Sequence, residues 1–286
     1  MKKGYVYAIT SAVLFGTAGL FVKYVYKIGF SAIEFLELQY IISILILGIY
    51  ILIFNRKYFY VNKRQVIDLA IMGGVGNCFM TLFYYKAFSY LPISMVTIIL
   101  YAYSIYIFIY KIFRKKIKIS LYKYIALFLA LFGMCLSLNL IYSFKGVNLQ
   151  GFIYALLCSI FYAFMNIYTE ERLYNLESLT INFYSILFSL IVLVSLSFPI
   201  FLFTSRVSFD FLQKIVMYSV ISEIIPLGLL YTAIKCIGTM KTSIISNLEI
   251  PAAIFFGYII LDEKVNFYQI IGGILIIMAI YYIEKE

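Results

Sequence analysis

The residues best able to do chemistry in this chain are a few polar side chains inside long apolar stretches. Two of them are acids, Glu223 and Glu249. A charge at the centre of a bilayer costs about 2.5–3.5 kcal/mol on insertion scales, so such residues usually face a cavity and have a role. We interpret both as candidate acceptors for a proton or a cation. The structural alternatives are a buried, hydrogen-bonded acid at Glu223 and satisfaction of amides freed near Pro251 at Glu249.

These acids lie in a chain that consists almost entirely of apolar stretches, separated by short loops. A hydrocarbon core about 30 Å thick needs roughly 20 helical residues. Ten stretches approach this length: 4–26, 33–54, 66–89, 92–113, 121–142, 149–169, 179–203, 211–235, 242–261 and 266–283. With 64% hydrophobic and only 13% charged residues, a water-soluble protein is excluded. The sequence predicts an all-α integral membrane protein with ten transmembrane helices. The first stretch, with Lys2 and Lys3 before it, also resembles a signal peptide, although nine further stretches would still anchor the chain.

The lysine and arginine residues predict the orientation of these helices. The side that carries the N-terminus receives sixteen of them: Lys2, Lys3, Arg56, Lys57, Lys63, Arg64, Lys111, Arg114, Lys115, Lys116, Lys118, Lys123, Arg172, Lys235, Lys241 and Lys285. The other side receives six: Lys23, Lys27, Lys145, Arg206, Lys214 and Lys264. This bias predicts that both termini are cytoplasmic in a plasma (inner) membrane protein. The net charge of +10 is then a topology signal, and we expect no nucleic-acid partner.

The two halves of the chain resemble each other. "GYVYAITSAVLFG" from Gly4 aligns with "GFIYALLCSIFYA" from Gly151, and "YKAFSYLPISMVTIIL" from Tyr85 aligns with "YTAIKCIGTMKTSIIS" from Tyr231. Each half holds five stretches, and because five is odd the second half must enter the membrane upside down. The predicted repeats are residues 1–143 and 144–286. Inverted repeats are the architecture of many secondary transporters, whose substrate sites lie near the midplane between the halves.

The repeat offset of 146 residues assigns each acid a partner in the first half. Glu223 corresponds to Asn77, and Glu249 corresponds to Tyr103. The stretches that hold these four residues also hold most of the helix breakers: Gly73, Gly74, Gly76, Pro226, Gly228 and Pro251. Helices interrupted at corresponding points of two repeats are the best sequence indication of a transporter site. We therefore predict a substrate-binding site that includes Asn77, Tyr103, Glu223 and Glu249.

Further amide and aromatic side chains lie at similar depths and suit an amphipathic metabolite. Those added to the substrate-binding set are Tyr101, Asn166, Tyr231 and Asn247, and Phe15 and Tyr162 lie at comparable depth. Helix–helix contact is the alternative role for each of them. Trp is absent, so tyrosines must build the interfacial belt, and we place Tyr84 and Tyr85 in it. Most of the other aromatic side chains are interpreted as lipid anchors or packing residues.

Catalytic and metal sites have little support. The chain has no His, and its four Cys lack a metal-binding spacing. There is no Walker loop or dinucleotide fingerprint, so we expect no cofactor and no direct use of ATP.

The sequence also resembles the EamA-type members of the drug/metabolite transporter superfamily. The run "IPLGLLYTAIKCIGTMKTSIISNLEIPAAIFFGYIILDEKVNFYQIIGGILIIMAI" is similar to that family's closing pattern, and "GFSAIEFLELQYIIS" is similar to its first-half "G-x-S-P-x-x-x-x-x-x-R". The chain differs from these patterns at several points. Ala32 replaces the usual Pro, and Gln39 replaces the usual Arg. Pro251 lies two residues after Glu249 instead of directly after it, and the first-half "L-x-E" turn is replaced by "KKIK", which has no acid. The resemblance implies ten helices in two repeats and a transport function.

The predicted function is a secondary transporter that exports a small metabolite, such as an amino acid, by alternating access. Its expected partners are the lipid bilayer, the substrate, and protons or another coupling ion, with the oligomeric state left open. A flippase for a lipid-linked substrate is the second interpretation. A membrane-embedded enzyme is the third, although the sequence offers neither a nucleophile–base pair nor a metal constellation.

Overall fold

The computed structural model of the chain describes residues 2–18, 30–114, 120–137, 148–199, 209–261 and 264–285. All of the regular elements in these ranges are helices. In chain order they are α1 (Lys2–Phe15), α2 (Ala32–Phe54), a 3-10 helix (Arg56–Phe59), α3 (Lys63–Ala70), the π-helical segment π1 (Ile71–Asn77), α4 (Cys78–Phe88), α5 (Ile93–Tyr101), α6 (Tyr103–Phe113), α7 (Leu121–Ser137), α8 (Leu149–Arg172), α9 (Ser178–Leu196), α10 (Phe209–Ser219), the π-helical segment π2 (Val220–Ile224), α11 (Ile225–Ser246), α12 (Glu249–Leu261) and α13 (Phe267–Glu284).

Seven single or joined helices are long and apolar enough to cross a membrane, which makes the chain a multi-pass membrane protein. They are Ala32–Phe54, Lys63–Phe88, Met95–Phe113, Leu149–Arg172, Ser178–Leu196, Phe209–Ser246 and Phe267–Glu284. The predicted first and fifth spans are only partly visible, since 19–26 and 138–142 lie outside the described residues. The corresponding helices within the described residues, α1 and α7, have 14 and 17 residues.

The predicted eighth and ninth spans depart most from the expected pattern. Helix follows on helix through Phe209–Ser246, and the predicted loop between the two spans is reduced to a sharp break at Gly238. Gly238 has φ +79° and ψ 163°, a conformation that essentially only glycine adopts. The ninth span is itself divided, because α11 ends at Ser246 and α12 begins at Glu249. A break at one glycine thus takes the place of the predicted loop. The predicted ninth span consists of the end of α11 and the whole of α12 rather than of a single helix.

The interruptions follow the repeat offset. α5 and α6 are separated at Ala102, and α11 and α12 are separated at Asn247 and Leu248, so Leu248 matches Ala102 at the offset of 146 residues. The widened turns match in the same way, because π1 ends at Asn77 and π2 contains Glu223. Such π-helical turns are rare and frequently lie at functional sites. The backbone therefore repeats the correspondence that the sequence alignment predicts.

A close contact at π1 and a proline just after π2 mark the two widened turns, and α9 contacts both. Gly73 in π1 lies directly against the α9 backbone, and Ser189 of α9 donates its hydroxyl to the Gly73 carbonyl at 2.8 Å. Just after π2, Pro226 has no N–H to give to the carbonyl one helical turn before it. Asn182 of α9 donates to the Ile224 carbonyl at 2.8 Å. One helix, α9, thus supports both π segments.

The start of the first helix and the end of the last helix lie at one end of the bundle, which we call the termini end, and the other end is the far end. The Tyr5 hydroxyl donates to the Ile283 carbonyl at 3.2 Å, which places the start of α1 beside the end of α13. The start of α8 lies instead at the far end, where Gly151 packs against Leu91 just beyond α4. α1 and α8 begin the two halves, so the halves start at opposite ends, as an inverted repeat requires.

Replacing Gly73 by alanine is expected to destabilise the protein. The added Cβ would lie 2.6 Å from the Ser185 carbonyl oxygen, and backbone atoms cannot rotate away as a side chain can. Overpacking of this kind costs about 1–3 kcal/mol. The matched control is Gly48→Ala, where the nearest atom, in the Phe183 ring, is 3.6 Å away. Thermal unfolding in detergent should show a lower midpoint for Gly73→Ala alone. Equal midpoints for both variants would contradict the close contact.

Candidate functional site

A cavity lies between the two halves, in the part of the bundle nearer the far end. The space in it that is open to the centres of water-sized molecules is about 70 Å³. The described residues that line it are Phe15, Ala18, Asn77, Met80, Thr81, Tyr84, Tyr85, Leu100, Tyr162, Tyr218, Ser222, Glu223, Leu227 and Glu249. Residues of both halves contribute, and both acids singled out in the sequence are among them.

Glu223 projects into this cavity from π2. Its side chain is only 7% exposed, and its Oε2 accepts a hydrogen bond from Gln39 Nε2 at 3.2 Å. No donor among the described residues reaches its other carboxyl oxygen. Gln39 itself is 1% exposed and lies on α2, in the other half of the chain. The two halves therefore meet at this pair, and one carboxyl oxygen remains available to a bound molecule.

Glu249 is the first residue of α12 and lines the same cavity. The Tyr101 hydroxyl, from α5 in the first half, lies 2.6 Å from Glu249 Oε2 and 2.7 Å from the Ser246 carbonyl. The amides of Ile250 and Ala252 donate to backbone carbonyls at 3.1 Å each. The carboxyl of Glu249 is therefore not used to satisfy amides around Pro251. It is held by a tyrosine at the cavity wall.

Asn77, the first-half counterpart of Glu223, is 1% exposed and also lines the cavity. Its Nδ2 donates to Ser189 Oγ at 3.0 Å. Its carbonyl accepts a short hydrogen bond from Thr81, whose hydroxyl lies 2.6 Å from that of Tyr40. The symmetric position is thus polar but neutral, and one of its two amide N–H donors bonds to the protein. The structure brings Asn77, Glu223 and Glu249 together at one cavity.

Tyr101 and Tyr103, on either side of the break at Ala102, lie behind the cavity wall. Tyr101 reaches the cavity only through its contact with Glu249. Tyr103 is fully buried, with its ring centroid 4.2 Å from that of Tyr162 and its hydroxyl 3.5 Å from the Ser243 carbonyl. Of these three tyrosines, Tyr162 lines the cavity and the other two support it.

The other three predicted site residues also lie outside the lining. Asn166 and Asn247 each donate to a carbonyl of their own helix, at 2.7 and 3.0 Å. Tyr231 is fully buried, with its hydroxyl 3.1 Å from Ser185 Oγ. These contacts are the helix and helix–helix interactions that the sequence left open as the alternative for them.

Several lining residues were missed or assigned elsewhere from the sequence. The assignment of Tyr84 and Tyr85 to the lipid interface is wrong, because both line the cavity and Tyr85 is 5% exposed. The Tyr85 hydroxyl lies 3.0 Å from that of Tyr218, another lining residue. Gln39 stood out only as a departure from the family pattern, yet it is the partner of Glu223. An amide within an apolar stretch was the available signal for it.

Between the cavity and the termini end, the two halves are held together by polar contacts. Lys111 of α6 forms an ion pair with Glu170 of α8 at 2.6 Å, and Thr239, next to the break at Gly238, donates to the same carboxylate at 2.5 Å. Nearer the cavity, Ser104 donates to the Ser243 carbonyl at 3.3 Å. We call this region the closed half.

The described ranges contain no group of three or more His, Cys, Asp or Glu side chains that could hold a metal ion. The chemistry available at the cavity is therefore that of two carboxyl groups, neutral hydrogen-bonding groups and aromatic faces.

Comparison with known proteins identifies the family. One solved crystal structure matches this chain with a TM-score of 0.77 at 13% sequence identity. The match covers 99% of this chain and 96% of the chain in that structure, which indicates a shared fold. A search of curated protein sequences finds no significant match. The model of the EamA-like transporter family matches residues 2–139 and again residues 149–284. The chain therefore belongs to the EamA-like transporter family, within the drug/metabolite transporter superfamily.

Proposed function

We propose that this protein is a secondary transporter that exports a small metabolite, such as an amino acid, by alternating access. The observation that carries the proposal is the cavity between the halves, lined by Asn77, Glu223 and Glu249. Secondary transporters built from inverted repeats place substrate and ion sites between the repeats, next to interrupted helices. Here the π segments and the breaks at Ala102 and Leu248 are the interruptions.

Alternating access requires that the site open to one side while the other side is closed. The cavity lies toward the far end, and the contacts of Lys111, Glu170 and Thr239 hold the halves together toward the termini end. The proposed cycle breaks these contacts and closes the far side over the substrate. Gly238, Ala102 and Leu248 are the points at which the helices could rock, because their backbone is already interrupted.

The termini end is the proposed cytoplasmic side of a plasma membrane. The bias of lysine and arginine residues supports this assignment. Two of the six basic residues counted on the outer side, Lys214 and Lys264, lie within the described residues. The other four, Lys23, Lys27, Lys145 and Arg206, lie outside them. In this proposed orientation the cavity lies on the outer side, as the outward-facing state of the proposed cycle requires.

Glu223 is the proposed site of ion coupling. It is a buried carboxyl group with one uncommitted oxygen, at an interrupted helix that contacts both halves. A carboxyl group that exchanges a proton for substrate on each crossing would link transport to a proton gradient. Glu249, held by Tyr101 on the same cavity, is the second candidate for this role.

A transport panel in proteoliposomes tests the proposal. Purified protein is reconstituted, and the flux of labelled amino acids, amines, nucleosides and a lipid-linked sugar is measured with and without a pH gradient. We expect flux of at least one soluble compound, larger with the gradient than without it. Flux of none of them, with movement of the lipid-linked sugar alone, would replace the proposal by the flippase interpretation.

A further inference from the structure

We propose that the cavity binds an organic ammonium ion, a substrate with a protonated amine and no carboxylate. The proposal rests on the proposed transport function and specifies the class of substrate. Its geometric basis is the pair of carboxyl groups, Glu223 and Glu249, on the wall of a single cavity.

The first argument is the unused hydrogen-bonding capacity of the two acids. Glu223 is more than nine-tenths buried, and only its Oε2 has a partner, Gln39. Glu249 likewise has a partner only for its Oε2, which accepts from Tyr101. Among the described residues, neither second oxygen has a donor. An unpartnered acceptor on a carboxyl group as buried as that of Glu223 favours a donor, and an ammonium group has three donors and no acceptor.

The second argument is charge. Both partners of the acids are neutral, since Gln39 is an amide and Tyr101 is a phenol. The cavity-lining residues that the structure describes include no lysine or arginine. A carboxylate buried without a counter-ion is costly, and a bound cation would supply that counter-ion. The site is therefore complementary to positive charge.

The third argument is the aromatic wall. Tyr84, Tyr85, Tyr162 and Tyr218, together with Phe15, line the same space. Aromatic faces attract organic cations through the negative charge of the ring face, and they also accommodate the apolar part of the molecule. A combination of carboxylates with several rings suits an amine with an apolar body better than a metal ion, which requires more oxygen ligands.

The fourth argument separates amines from amino acids. A substrate carboxylate would need donors, and the donors of the described lining are all neutral: the tyrosine hydroxyls, Asn77, Thr81 and Ser222. One N–H of Asn77 already donates to Ser189, and the Thr81 hydroxyl donates to the Asn77 carbonyl. The hydroxyl of Ser222 lies 2.9 Å from that of Thr17. A second negative charge would also face Glu223 and Glu249. Amino acids should therefore bind more weakly than the amines that lack their carboxylate.

The test compares phenethylamine with phenylalanine, which differ by one carboxylate. Binding of each to the purified full-length protein is measured by isothermal titration calorimetry at neutral pH, and uptake of each is measured in proteoliposomes. We expect phenethylamine to bind about tenfold or more tightly than phenylalanine, the loss expected when a buried charge is left facing a like charge. A neutral analogue, ethylbenzene, should show no saturable binding.

Variants connect the binding to the acids. Glu223→Gln should weaken phenethylamine binding by about tenfold to a hundredfold, because a charge-assisted hydrogen bond is lost. Glu223→Asp keeps the charge and should retain most of the affinity. The matched control is Glu37→Gln. Glu37 is a buried glutamate of α2 that does not line the cavity, and this variant should bind phenethylamine as tightly as the unmodified protein does.

The outcomes distinguish this inference from the proposed function. Uptake of phenylalanine with no binding of phenethylamine would overturn the inference and leave the transporter intact. Phenethylamine binding that Glu223→Gln leaves unchanged would also overturn it. Saturable phenethylamine binding that depends on Glu223, without transport of any compound, would support the cation site and overturn the transport function.

Discussion

Replacing Glu223 by glutamine is expected to reduce proton-gradient-driven transport to the level of protein-free liposomes. The substitution preserves the size of the side chain, and the amide oxygen can still accept the hydrogen bond from Gln39. It removes the only feature of the residue that can take up and release a proton. Gradient-driven flux is measured in proteoliposomes with an imposed pH difference, for a compound that the unmodified protein carries.

Two further variants separate coupling from folding at this position. Glu223→Asp keeps an ionisable group and should retain measurable gradient-driven flux. Glu37→Gln removes a carboxyl group that is 1% exposed but lies outside the cavity lining, and it should transport like the unmodified protein. If Glu223→Gln responds to the pH difference as strongly as the unmodified protein does, the coupling role of Glu223 is wrong.

Replacing Glu170 by alanine is expected to cost about 1–3 kcal/mol of stability, between the values for an exposed and a buried ion pair, because the Glu170 side chain is 26% exposed. The reason is Lys111, whose side chain is 9% exposed and would lose its counter-ion, while Thr239 would lose its acceptor. The loss should appear as a lower midpoint of unfolding in a denaturing detergent titration. Replacing an exposed partner gives the control: Asp210→Ala, which removes the acid paired with Lys214, should cost about 0.5 kcal/mol or less.

The double variant Lys111→Met with Glu170→Leu tests the physical origin of that loss. Buried ion pairs can often be replaced by apolar residues without a large loss, whereas removing one partner alone leaves a charge uncompensated. The double variant should therefore be more stable than Glu170→Ala. Stability as low as that of the single variant would show that the unpaired charge is not the cause.

The interruptions of the helices could be predicted from the sequence because they depend on local residue types and on the repeat. Gly73 and Pro226 mark the two π segments, and the offset of 146 residues relates Asn77 to Glu223 before any contact is known. The backbone follows both expectations. The break at Gly238, between the predicted eighth and ninth spans, was less predictable. There a single glycine with a positive φ takes the place of a loop of several residues.

Whether an individual side chain faces lipid or protein could not be predicted, for a reason specific to membranes. Lipid tails are about as apolar as a protein interior, so an apolar helix face gives no indication of whether it meets lipid or protein. The absence of Trp favours the interface for Tyr84 and Tyr85, and nothing in their sequence context indicates that they line the cavity. The contact of Gln39 with Glu223 was invisible for another reason: the two residues are 184 positions apart, and only the packing of α2 against the second half joins them.

Sided labelling of introduced cysteines tests alternating access around this cavity most directly. In a background without the four native cysteines, Met80→Cys reports on the cavity and Ser243→Cys reports on the closed half. A membrane-impermeant maleimide is applied from either side of oriented vesicles that retain transport. At rest, position 80 should react only from the far side and position 243 from neither. During transport, position 243 should become reactive from the termini side while the reactivity of position 80 falls. Reaction of position 80 from both sides at once, or a position 243 that never becomes reactive, would contradict the account.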